Sequence, residues 1–309
     1  MTASVDLRSI VAEARAIGAS AEPTDHLTHA SCALVLDSLD VDPSASFDAL
    51  VSPVLASRNP LDESLLAGAS GRAWIVSGAV SHVPRALDAR TLLTVVRSRP
   101  FAGRERGLRV YRIDADIPGV TITPLETIDD DRAGRVSFDA VQIGDERVVG
   151  PSRDATVALS AAFDCIALVA VAEMVGAADA ARRSAVRHVQ SRVQFGEPLA
   201  RRQAVAHRIA DMTIVCDAVS LMLDDALESA IANAHRPEPL AVASTKLAAS
   251  VQLPLVTASA HQLHGGEGYY ADQPMHRWHR RVTSLAMQFG DRRTMRSRAA
   301  ELLGLAPVF

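Results

Sequence analysis

Ser191-Arg192-Val193-Gln194-Phe195-Gly196-Glu197-Pro198-Leu199 is the stretch on which the fold turns. It reads as a junction between two long helices. Upstream, residues 155–190 contain no proline and a single glycine, and are rich in Ala, Val and Arg, which suits one long helix. Downstream, Pro198 can open a new helix, because its missing N–H and fixed φ suit a first turn. An Arg fork can grip a pyrophosphate bidentately, Phe offers an apolar face, and Gly lets backbone come close. The plainer reading is a helix C-terminus, with Arg balancing the dipole, Gly ending the helix and Phe in the core. The stretch alone is compatible with both.

A second stretch bears on the choice. Residues 261–270 read His-Gln-Leu-His-Gly-Gly-Glu-Gly-Tyr-Tyr. Gly265, Gly266 and Gly268 leave bare backbone whose N–H groups can face phosphate or ribose oxygens, and Gln262 adds a side-chain amide. Together with Gln203-Ala-Val-Ala-His-Arg-Ile-Ala-Asp-Met, these motifs resemble the C-terminal domain of the acyl-CoA dehydrogenases, with similarity from about Trp74 to about Leu303. In that family the two motifs reach across a dimer interface and hold the pyrophosphate and adenosine of the neighbouring subunit's FAD. The resemblance therefore assigns cofactor contact to Arg192, Gln194, Phe195, Gln203, Gln262, Leu263, His264, Gly265 and Gly266.

The bulk numbers agree with a soluble globular protein. The 309 residues can build two or three layers, and 48 % hydrophobic with 22 % charged content is ordinary for a globular protein. A net charge of −4 gives no reason to expect nucleic acid. Lys246 is the only lysine. Cys32, Cys165 and Cys216 are widely spaced, lack a metal-ligand pattern and imply a reducing compartment. No signal peptide and no apolar run long enough for a bilayer is read, so a cytoplasmic protein with no membrane partner is expected.

Three segments are expected in an α+β, acyl-CoA dehydrogenase-like arrangement. Residues 1–62 form a truncated N-terminal helical region, with helices over 6–16, 31–38 and 47–56. Residues 63–150 form a middle β-domain, a small barrel or sandwich with strands at Ala73-Trp-Ile-Val, Thr91-Leu-Leu-Thr-Val-Val, Leu108–Asp114, Val120–Thr123 and Arg135–Val141. Residues 151–309 form a helical bundle with helices over about 155–191, 199–234, 239–262 and 278–303. By resemblance Trp74 stands in the segment beside the flavin ring, where Val76 replaces a polar residue. Asp129-Asp130-Asp131 reads as a solvated loop. His276 and His279 lie in a basic run and read as solvated or phosphate-facing.

An acyl-CoA dehydrogenase needs a carboxylate to take the α-proton, and a buried Glu with a raised pKa suits that task. The family places it at one of two positions, which here are Phe289 and Ile166. Neither can accept a proton. Asp164 and Glu173 are the weak substitutes, and Glu173 could equally pair with Arg182 or Arg187. The motifs serving a neighbour's FAD are thus kept, while those serving this chain's own flavin ring, CoA and proton transfer are depleted. Such chains resemble the non-catalytic subunit of heteromeric (α2β2) acyl-CoA dehydrogenases of sterol catabolism, in which a longer catalytic subunit carries the Glu. The expected function is completion of that partner's FAD site in a heterotetramer acting on a bulky, steroid-derived acyl-CoA. The alternatives are a self-sufficient homo-oligomer using Asp164 or Glu173, and a flavin-free scaffold or acyl-CoA-binding relative.

Overall fold

The computed structural model describes residues 5–22, 24–42, 51–54, 65–70, 73–98, 107–150 and 154–305. They form two compact units, one of Met1–Asp6 with Asp25–Ile166, the other of Leu7–Thr24 with Ala167–Phe309.

The first unit holds α2 (His26–Ser38) and eight strands: β1 (Val51–Val54), β2 (Leu65–Ser70), β3 (Ala73–Val83), β4 (Thr91–Ser98), β5 (Gly107–Asp114), β6 (Val120–Pro124), β7 (Gly134–Gly144) and β8 (Val148–Val149). They join in one sheet, ordered β6-β7-β3-β2-β4-β5-β8, with β1 lying parallel to β4. Alternation sets the inner face, as a two-residue side-chain period requires. Trp74 and Val76 on β3, Tyr111 and Ile113 on β5, and Val136 and Phe138 on β7 all enter one buried cluster. All five predicted strands form. The helix expected over 47–56 does not: Val51–Val54 is a strand in register with Thr91–Thr94, and the rest of that span lies outside the described residues. Pro53 lacks the N–H that a helix interior needs, whereas an edge strand tolerates it.

The acidic run is less solvated than its composition implies. Asp131 turns inward, accepting from Thr127 Oγ1 at 2.7 Å and from the Ala133 N–H at 3.2 Å. Its flanking residues Asp130 and Arg132 adopt φ of +53° and +51°.

The second unit is helical. α1 (Leu7–Ser20) packs on α3 (Thr156–Ser191), which begins in the first unit; α4 (Gln203–Ala232), α5 (Pro239–His264), α6 (Met275–Met287) and α7 (Arg292–Leu302) follow. α1 buries Leu7, Val11, Ala14 and Gly18, one face at helical spacing. Two glycines let the backbones meet. A Cβ on Gly18 would overlap the Glu173 carbonyl, and one on Gly176 would overlap the Arg15 carbonyl. Arg8 and Arg15 tie the other side of α1 to Glu228 and Asp224 of α4, at 2.7 and 2.9 Å.

One boundary differs from expectation in this part of the chain, and one is met. The predicted last helix is two, because Phe289 and Gly290 adopt φ of +51° and +99° and Asp291 caps a new helix by accepting from the Thr294 N–H at 2.8 Å. α5 starts where Glu238 accepts from the Ala241 N–H at 2.6 Å, with Pro239 in its first turn. α3 and α5 are also long and apolar enough, by length and composition, to cross a bilayer, which the sequence reading did not expect. The most apolar part of α3 is 78 % buried, the condition of a core helix; for α5 taken with the turn that follows it, Pro239–Tyr269, the figure is 44 %.

The α1–α3 crossing yields a stability prediction. Gly176→Ala places a methyl group against backbone that cannot swing aside, so it should cost about 1–3 kcal/mol and lower the melting temperature followed by circular dichroism. An unchanged Tm would show that α1 adjusts freely over α3.

Candidate functional site

The stretch 192–199 is a hairpin rather than the end of a helix. β9 (Val193–Gln194) pairs antiparallel with β10 (Glu197–Pro198), and the Leu199 N–H donates to the Arg192 carbonyl at 2.9 Å. Phe195 and Gly196 form its corner with φ of +58° and +83°, the two positive values that a type I′ turn requires. Pro198 therefore sits in a strand, and after a 3₁₀ turn (Leu199–Arg201) the next helix opens at Gln203, four residues later than predicted. Phenylalanine is a costly choice for a left-handed corner. The residue is 88 % exposed, with the Arg202 guanidinium 5.7 Å from its ring centroid.

α5 ends at the glycine turn, where Gly265 has φ +59° and the space beside Gly265 and Gly266 is open at the Cβ position. The residues just before it are anchored by imidazoles. His264 Nδ1 lies 2.8 Å from the Ala260 carbonyl and His261 Nε2 3.0 Å from the Gly268 carbonyl; a carbonyl can only accept, so each of these nitrogens carries hydrogen. The His264 ring stacks on His188, centroids 4.7 Å apart. His279 was expected to be solvated or phosphate-facing. Instead its Nδ1 meets Thr257 Oγ1 at 2.8 Å and its ring stands edge-on to His261. Burial holds His188, His261 and His279 below the ordinary imidazole pKa, with the charge of neighbouring histidines adding to it for His188 and His261.

Hairpin and turn meet through one ion pair, Arg192 Nη1 to Glu267 Oε1 at 3.2 Å. Arg192, Gln194, Phe195, Gln203, Gln262, Gly265 and Gly266 are exposed, Leu263 is half-buried and His264 buried. An FAD diphosphate, as the resemblance implies, fits this set: reachable glycine backbone, an exposed guanidinium and an outward aromatic ring. Glu267 is the discordant member.

At the two positions that the resemblance assigns to a base, Ile166 is 0 % and Phe289 5 % exposed, both in core packing. Asp164 is buried. Glu173 pairs with neither arginine considered from the sequence. It accepts from Arg281 Nε at 2.6 Å and from Nη2 at 3.2 Å, a two-pronged pair inside the helical unit. Trp74 is wholly buried, its indole N–H donating to Asp145 at 3.0 Å, and Val76 is buried in the same cluster. Arg281, Glu267 and the role of Lys246 were not foreseen; the only signals available were a charge in a glycine turn and a solitary lysine in an apolar helix.

The comparisons with known proteins fit this geometry. Residues 155–304 match the model of the acyl-CoA dehydrogenase C-terminal domain. The chain belongs to the acyl-CoA dehydrogenase family. It is 30 % identical over 221 residues to the probable acyl-CoA dehydrogenase FadE25 of Mycobacterium tuberculosis, covering 69 % of this chain and 55 % of that one. The chain thus spans about half the length of the curated relatives it matches. Its fold superposes on the ChsE4-ChsE5 complex from Mycobacterium tuberculosis with a TM-score of 0.84 at 20 % identity, over 98 % of this chain and 82 % of that one. A variant of the Tcur3481-Tcur3483 steroid ACAD gives 0.81 at 23 %, over 96 % and 81 %.

Two predictions follow from the buried charges. Arg281→Met strands the Glu173 carboxylate in the core and should cost about 3–5 kcal/mol in urea unfolding, while adding Glu173→Gln should restore much of it. Lys246 donates to Ser250 Oγ at 2.9 Å and to the Leu285 carbonyl at 3.0 Å, and burial pulls its pKa down to about 7 although Asp291 pulls upward. Between about pH 7 and the unfolded value near 10.4, the unfolded chain binds the extra proton, so this group makes stability rise with pH across that window. Lys246→Met should flatten that rise in melts recorded from pH 7 to pH 10.

Proposed function

We propose that this chain is the non-catalytic subunit of an FAD-dependent acyl-CoA dehydrogenase, and that it completes the FAD site of a longer catalytic partner in a cytoplasmic heterotetramer. One observation carries the reading. The residues suited to gripping a dinucleotide face outward from the helical unit, while both positions for a proton-accepting Glu hold buried apolar side chains. Exposed apolar residues on the same unit support a second chain: Ile214 and Leu221 on α4 and Leu255 on α5 are each more than half exposed. Cys32, Cys165 and Cys216 are buried and form no disulfide among the described residues, which suits a reducing compartment, and burial pushes the thiols of Cys165 and Cys216 up to about 12.

Within this proposal Arg192 binds the diphosphate, Gly265 and Gly266 let backbone approach it, Phe195 covers an apolar face, and Gln194, Gln203 and Gln262 supply amides to the adenosine half. Bound FAD supplies the hydride acceptor for α,β-desaturation of an acyl-CoA. The substrate class, a bulky steroid-derived acyl-CoA, is supported by the likeness in fold to the Tcur3481-Tcur3483 steroid ACAD.

Co-expression with a longer catalytic acyl-CoA dehydrogenase subunit should give a yellow complex with one FAD per heterodimer. Arg192→Gln should lower its FAD content at least fivefold, as expected for loss of a charge-assisted bidentate contact. A yellow homo-oligomer with dehydrogenase activity of its own would reject the reading.

A further inference from the structure

Glu267 is the member of the glycine turn to which the proposed function gives no task. Its two carboxylate oxygens face the hairpin and α3: Oε1 stands 3.2 Å from Arg192 Nη1 and Oε2 stands 3.7 Å from His188 Nδ1. Both ends of the Arg192 pair are about half exposed, at 49 % and 46 %, so the contact is open to exchange in water. His188 does not cancel the carboxylate at neutral pH: burial, then the charge of His264, hold it below its ordinary pKa, outweighing the upward pull of Glu267. An anionic ligand coming to Arg192 beside the open Gly265 and Gly266 therefore meets a guanidinium already engaged, and a like charge within reach.

The geometry points to Glu267 as a built-in counter-ion that Arg192 must exchange for a diphosphate, so that this half-site holds phosphate-bearing ligands weakly until a second subunit adds contacts. The inference rests on the reading of Arg192 as a phosphate-gripping residue. Two opposed effects are at stake, since the carboxylate also holds the guanidinium in place. Glu267→Gln separates them: the amide keeps an acceptor of the same shape for Arg192 and removes only the charge.

The test uses the full-length chain and ADP as probe, by isothermal titration at low salt. Glu267→Gln should bind ADP roughly threefold to fivefold tighter than the natural chain, the scale of one exposed charge contact. The gain should shrink in about 0.5 M NaCl, and should disappear when Arg192→Gln is already present. Equal or weaker binding by Glu267→Gln, including no binding by either protein, overturns the inference, as does a gain that survives Arg192→Gln. A thermal melt of each variant excludes misfolding as the cause. Flavin fluorescence of the natural chain in complex with its catalytic partner is a separate measurement. A complex without FAD would sink the proposed function, while the ADP ratio still decides the role of Glu267.

Discussion

The thirty-six residues of α3 run through both units, and burial along that helix is the constraint from which the rest follows. Every residue from Ala162 to Ala178 is buried. A charge in such a segment persists only if it is paired, because desolvating a lone carboxylate costs several kcal/mol. Glu173 meets that condition through Arg281 of α6, and in doing so becomes part of the packing between α3, α1 and α6. The same neighbourhood admits α1 only at backbone contact, across Gly18 and Gly176. Ile166, on the same helix, is wholly buried and contributes only apolar contact.

Burial ends abruptly at the C-terminus of α3. From Gln190 to Gly196 every residue is exposed, and the chain turns through two left-handed residues to form a two-strand hairpin. Leaving Phe195 at that corner exposes an aromatic ring and accepts an unfavourable backbone conformation. Strain of this kind persists where surrounding structure or a binding role maintains it. The hairpin is anchored at its base by backbone hydrogen bonding from Leu199 to Arg192 and by the Arg202–Glu197 pair at 3.1 Å. On the facing side, α5 delivers the glycine turn, and the imidazoles of His261 and His264 hold its start by donating to backbone carbonyls.

The C-terminal helices show the same economy. Lys246 donates to the Leu285 carbonyl near the end of α6, satisfying a terminal acceptor from inside the core. Just beyond it, Phe289 and Gly290 reverse the chain in left-handed conformations and Asp291 starts α7. The buried Phe289 seals the core at this bend.

Much of this architecture was legible in the order of residues. Alternating β-branched and aromatic residues marked the strands around Trp74, Tyr111 and Phe138, and the i, i+4, i+7 spacing of Leu7, Val11 and Ala14 marked α1, since side-chain periodicity is a local property. The roles expected of the motifs around Arg192 and Gly265, and of positions 166 and 289, came from the resemblance to the acyl-CoA dehydrogenases and not from periodicity. What only the folded chain decided lies beyond local pattern. Glu173 found Arg281, 108 residues away, and Arg192 found Glu267 rather than solvent. Positive φ at Phe195 and Phe289 turned one expected helix junction into a hairpin and one expected helix into two. Ion-pair partners and left-handed corners are selected by what packs alongside, and a linear sequence does not state its neighbours in space.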